Sequence, residues 1–170
     1  MHRAIRLASV VTLLAGIALY LYRGQRTPEQ EELRSYVEVL LPRLGSTEDR
    51  VDDMLRKLQV APGLPPPAAR ALLVDEVIPT LIALRAQASE RTFQTSDVVR
   101  LQKAYDEVVL GQIEACRTAV RVIDDSKLDT KTAMARVQKA FADAATRRQQ
   151  WKQQLQATSA SHGMLTPVRR

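Results

Sequence analysis

The chain has 170 residues, 45% of them hydrophobic and only 4% aromatic, with a net charge of +6. That hydrophobic content excludes a disordered chain, and the length allows one core of ordinary size. A single cysteine excludes an intramolecular disulfide, the lack of asparagine excludes N-glycosylation, and two histidines leave little material for metal or acid–base chemistry.

Arg3 and Arg6 precede residues 7–22, a stretch without charge that Arg23 and Arg26 close. Leu7, Leu13, Leu14, Ile17, Leu19 and Leu21 make it apolar, and Tyr20 and Tyr22 stand beside Arg23, where an interfacial aromatic belt belongs. As a helix these 16 residues cover about 24 Å, and snorkelling of Arg6 and Arg23 makes up the rest of a membrane span. We read the segment as a signal anchor, with membrane lipid as its partner. The alternative is a cleaved signal peptide with small residues at Gly16 and Ala18. Cleavage there would leave Leu-Tyr-Leu-Tyr at the new terminus, and the apolar run continues straight through the site. A lipoprotein is excluded because Ile17 stands where the lipidated cysteine must be. The short basic N-terminus favours the cytoplasm, which places residues 27–170 outside it, at an inner or plasma membrane.

Amphipathic helices follow. Thr27-Pro28-Glu29 is a helix start, with Thr27 as N-cap, Pro28 at the first helical position and acids near the positive dipole end. Leu33, Val37, Leu40 and Leu44 form a stripe that Val51, Met54, Leu55 and Leu58 continue in the same phase. Pro42 and Gly45 predict a kink or break over 42–46, with a fresh N-terminus at Ser46 or Thr47. Residues 61–67 hold four prolines and a glycine and read as a loop. A second helix spans about residues 67–91, with Leu73, Val77, Leu81 and Leu84 inward. Pro79 inside it calls for a bend or a looser turn.

Ser96-Asp97 predicts the cap of a third helix. From Val98 through Leu101, Tyr105, Val109, Ile113, Cys116 and Val120 to Ile123, the apolar positions keep helical spacing throughout. After a turn at 124–129, Asp129 or Ser126 caps the fourth helix. Met134, Val137, Phe141, Ala144, Arg148, Trp151 and Leu155 alternate spacings of three and four, a short coiled-coil-like seam. Pattern fades from Ala157, which predicts a mobile tail. The fold class is therefore all-α: a single N-terminal transmembrane helix, then an antiparallel four-helix bundle with long third and fourth helices. The domains are 1–26 as anchor and basic flanks, 27–156 as bundle, and 157–170 as flexible tail.

The charge is distributed unevenly. Residues 27–126 carry 12 basic and 17 acidic side chains, whereas residues 127–170 carry nine basic and two acidic. The body is acidic and the last helix basic, which suggests an anionic partner for that helix or charge pairing within the fold. An acidic body argues against nucleic acid as the partner.

No catalytic, metal or cofactor site is expected. His2 and His162 lie in the membrane flank and the tail, no Glu-x-x-His pair exists, and Met54 and Met134 read as gap-filling core residues. Cys116 lies on an apolar stripe without a histidine to activate it. The acidic pairs, such as Asp52-Asp53, read as solvated faces, because adjacent helical residues diverge. Trp151 is the most suggestive residue. Among Arg147, Arg148 and Lys152 it reads either as an exposed anchor for a partner or as the cap of the core. The sequence thus implies a non-enzymatic, membrane-anchored interaction or scaffold protein of a bacterial-type envelope. Its candidate site is Arg147, Arg148, Trp151 and Lys152, and its partner is a protein or a second copy. The alternative is an extracytoplasmic bundle that senses a small ligand near Pro42 and Pro79.

Overall fold

The computed structural model describes residues 27–60 and 65–164, and among these every regular element is helical. Helix α1 covers residues 28–60 and α2 residues 66–89, while α3 is Ser96–Asp124 and α4 is Thr130–Ser161. Among the described residues no helix is long and apolar enough to cross a membrane. The expected anchor, residues 7–22, lies outside them, as does the end of the tail from 165.

Prolines shape the first two helices. An α-helical Pro42 would withhold the donor due to the Glu38 carbonyl and press its ring against that group. The chain avoids this by widening one turn. Tyr36–Leu40 forms a π-helical turn, and the Leu41 N–H, just ahead of the proline, donates to the Tyr36 carbonyl five residues back. Helix α2 repeats the device: Leu72–Val77 is π-helical, and Ile78, just ahead of Pro79, donates to the Leu73 carbonyl. Pro79 thus produces the looser turn that its position predicts. At Pro42, where a kink or break is expected, the structure shows a continuous helix with a widened turn: it runs on through Ser46 and Thr47 to Val60 without the fresh N-terminus expected there. The wide turns also serve packing, because Tyr36, Leu40, Leu73 and Val77 are all buried.

The core is built mainly by three helices. Helix α1 gives Leu33, Tyr36, Leu40, Leu44, Val51 and Met54, α2 gives Leu73, Val77, Leu81 and Leu84, and Phe93 closes one end. Each such side chain contributes about 1.5–3 kcal/mol relative to exposure. Helix α3 is central. Its adjacent pairs Val108-Val109 and Ala115-Cys116 are buried together, although neighbours on a helix diverge by about 100°, so it is covered on two sides. By contrast, α4 buries only Ala144, Trp151 and Ser159. Val137, Phe141 and Leu155 are half-buried against the core, while Met134 is 56% exposed and not the core residue its spacing suggests. The reason is register. Arg148 stands opposite Glu48 and Asp52, and the antiparallel course carries Met134 past Val60, the last residue of α1.

Caps and clasps fix the helix ends. Thr27 and Gln30 form a reciprocal capping box, and the Asp129 carboxylate accepts from the Thr132 N–H at 2.9 Å, both ends as predicted. Helix α3 starts differently from the Ser96-Asp97 expectation. Thr95 takes the N-cap position without a side-chain cap, and Glu32 of α1 accepts from the N–H groups of Gln94 and Thr95 and from the Thr95 hydroxyl. The Thr95 N–H, against a desolvation cost, holds the Glu32 carboxyl below its ordinary range. Helix α4 continues through Ser161, beyond the point where the pattern fades. The Gln30 side chain donates to the His162 carbonyl, His162 Nε2 lies 3.1 Å from an Asp97 carboxylate oxygen, and Met164 packs on the core. The ends of α1, α3 and α4 thus meet, and the four helices run up, down, up and down.

Candidate functional site

Arg148 interrupts an otherwise apolar seam, and the chain answers it with carboxylates. Its guanidinium lies 3.5 Å from Glu48 and 3.3 Å from Asp52, two α1 residues one turn apart. Glu48 also accepts from the Tyr105 hydroxyl at 2.8 Å, so α1, α3 and α4 share one polar network. The Arg148 side chain keeps only 26% of its exposure. Burial weakens its charge and the two carboxylates outweigh that effect, holding the guanidinium above its usual range. Asp52, read as a solvated residue, keeps 40% of its side-chain exposure yet partners Arg148, while its neighbour Asp53 pairs with Arg56 on the outside.

Trp151 is a core residue. It is 7% exposed, and its ring lies 5.1 Å from that of Tyr105 in a tilted contact. Tyr36 completes the aromatic group, donating to the Leu101 carbonyl and meeting Phe93 edge-on. Burial pushes the Tyr36 hydroxyl above the usual phenol range, and the Trp151 indole N–H opposes that rise without reaching hydrogen-bond geometry. The indole N–H and the Ser159 hydroxyl are buried without hydrogen-bond partners among the described residues. The reading of Trp151 as an exposed anchor therefore gives way to the core reading.

Comparison with known proteins finds no match: no family model, no curated protein and no solved structure resembles the chain. Function must be argued from these residues alone.

The four candidate residues divide into two pairs. Arg148 and Trp151 turn inward, whereas Arg147 and Lys152 stay on the exposed surface. Arg147 reaches Glu107 at 3.7 Å across a groove of about 410 Å³ between α3 and α4. A Cβ on Gly111 would come within 3.1 Å of the Arg147 Cδ and 3.8 Å of the Ala144 Cα, so the two helices approach closely there. Leu110, Ala140 and Ala144 help to floor the groove, and its rim carries both charge signs, with Glu114 and Asp143 against Arg117.

Burial pushes the Cys116 thiol up to about 12, which keeps it protonated and inert. Among the described residues no group of three histidine, cysteine or acidic side chains converges to hold a metal. His162 approaches Asp97 at one end of the bundle, far from that thiol, which faces the core of α3. Sequence reasoning missed Glu48 and Asp52 as the partners of Arg148, and Tyr105 as the donor to Glu48. The signal was present: a charged residue at an apolar seam position requires an acid on a facing helix.

Proposed function

We propose that this chain is a non-enzymatic, membrane-anchored interaction protein of the cell envelope, whose four-helix domain presents α4 to a protein partner. The single observation that carries this reading is how little of α4 the fold uses. Three of its 32 residues are buried, and beyond the half-buried seam its exposed residues form a long, regular, accessible face. Residues 7–22 supply the lipid anchor in this reading, and residues 27–170 lie outside the cytoplasm. Arg147 and Lys152 belong to the accessible face, while Arg148 and Trp151 hold the helix that bears it. Native mass spectrometry of the full-length protein, released gently from its own membrane, tests the reading. A heteromeric or homomeric assembly of defined mass is the expected result, and a bare monomer would overturn it.

One observation favours the small-ligand alternative. A cavity of about 140 Å³ lies beside Pro42, lined by Leu40, Arg43, Leu44, Ser46, Thr47 and Gln87. Pockets for drug-sized ligands usually measure about 300–1,000 Å³, so this one suits only a few-atom occupant. Thermal shift against small polar metabolites tests it, and a uniformly flat response would exclude it.

A further inference from the structure

Ion pairing is denser in the first three helices than along the start of the fourth. In α1 to α3, Arg34, Arg43, Arg56, Arg70, Arg85, Arg100, Arg117 and Arg121 have acidic partners within 4.0 Å, while Arg50, Lys57 and Lys103 have none among the described residues. On the N-terminal half of α4 and the turn before it, Lys127, Lys131, Arg136 and Lys139 are exposed and make no ion pair among the described residues. Asp143 is the only acid in α4. Lys131, Ala135, Lys139 and Ala142 follow at spacings of four, four and three, so they line one outward strip. Met134, at 56% the most exposed large apolar side chain among the described residues, borders it.

Resting on the reading that the chain works by binding, we infer that this strip docks an acidic segment of a protein partner. Unpaired cations around small alanines suit close approach by a carboxylate-rich helix or strand, with Met134 as the apolar contact. An anionic lipid surface fits less well, for two reasons. Interfacial helices need a broad apolar face, and here Met134 stands alone among alanines, glutamines and threonines. The strip is also remote from the proposed anchor. Thr27 enters at the end where Gln30 meets His162, and Lys131 lies about 45 Å along the α4 axis from that point. Nucleic acid is disfavoured by the acidic body, with 17 acidic against 12 basic side chains in residues 27–126.

The test is site-specific photo-crosslinking of the full-length protein in its native membrane. A photoreactive residue replaces Ala135, and a second at exposed Ser89 of α2 is the control. The expected result is an adduct at position 135 and not at 89, whose crosslinked peptide is net acidic. Lys131→Glu with Lys139→Glu should reduce its yield about tenfold, while Lys131→Arg with Lys139→Arg should preserve it. Adducts only with lipid, with nucleic acid or with a second copy would overturn the inference, as would a yield indifferent to charge reversal. An assembly seen by native mass spectrometry without any adduct at 135 would remove this surface and leave the interaction reading standing.

Discussion

The two halves of α4 share one spacing and have opposite fates. In the C-terminal half, Arg148 meets α1, Trp151 meets α3, Ser159 is buried, and His162 closes against Asp97. In the N-terminal half, Val137 and Phe141 are half-buried, Met134 is exposed, and the cations lack partners among the described residues. Periodicity therefore specifies a helix and the face it turns inward, but not the length over which another helix covers that face. Coverage depends on where α1 ends, which a pattern internal to α4 does not encode.

The sharpest way to break the comparison is at Trp151. Trp151→Ala removes the largest α4 side chain from the interior and should cost about 3–5 kcal/mol, less whatever relief comes from deleting an unpartnered indole N–H. Urea denaturation of the full-length chain in detergent, followed by circular dichroism, measures it. A cost below about 1 kcal/mol would mean that α4 is not held at this point. Arg148→Ala follows. It leaves Glu48 and Asp52 facing an empty position, and because those groups keep part of their exposure we expect about 1–2 kcal/mol. In a double-mutant cycle, Arg148→Ala and Asp52→Ala should lose less together than the sum of each alone.

These residues also show how far the sequence was legible. Four helices, the Thr27 and Asp129 caps and the looser turn at Pro79 follow from local rules, because each depends on residues within one turn. The choice between a kink and a break at Pro42 was not legible. Local rules give a proline's cost, whereas the π-turn remedy is retained because it buries Tyr36 and Leu40 against other helices. The Glu32 cap on α3 was hidden for a similar reason, since its donors lie more than sixty residues away in the chain. At the candidate site, Arg147, Arg148, Trp151 and Lys152 were found as a group by sequence proximity, and their division into inward and outward pairs follows from helical phase. The carboxylates that settle Arg148 inside lie on α1, where Asp52 looks no different from Asp53.

Glu32 sharpens the contrast through pH. Its folded-state carboxyl sits below the ordinary value of 4.5, so the unfolded chain binds the proton more readily. The stabilisation is complete above that ordinary value and is lost as pH falls through the lowered folded value. Melting of the full-length chain should therefore decline more steeply between about pH 5 and pH 3 in the wild type than in Glu32→Gln. At pH 7 the variant should melt roughly 2–4 °C lower, having lost an acceptor for the Thr95 and Gln94 N–H groups. Asp97 and Asp129 are also held low, so a shallower acid slope should persist in the variant. Identical slopes would show that Glu32 does not cap α3 in solution.

The smallest expected effect bears most directly on why α4 has two halves. Met134→Ala removes a side chain of similar chemistry to Met54, yet the two lie at 56% and 4% exposure. Met54→Ala should cost about 2–5 kcal/mol, as buried methionines do, whereas Met134→Ala should stay within about 0.5 kcal/mol in the same denaturation assay. If Met134→Ala instead destabilises as strongly as Met54→Ala, the N-terminal half of α4 is covered in the folded protein, by oligomerisation or by the rest of the chain. In that case its cations are not available to a partner. A neutral result, joined to loss of the adduct at position 135, would assign this methionine to recognition, since an apolar side chain that contributes nothing to the fold has then been shown to act only between molecules.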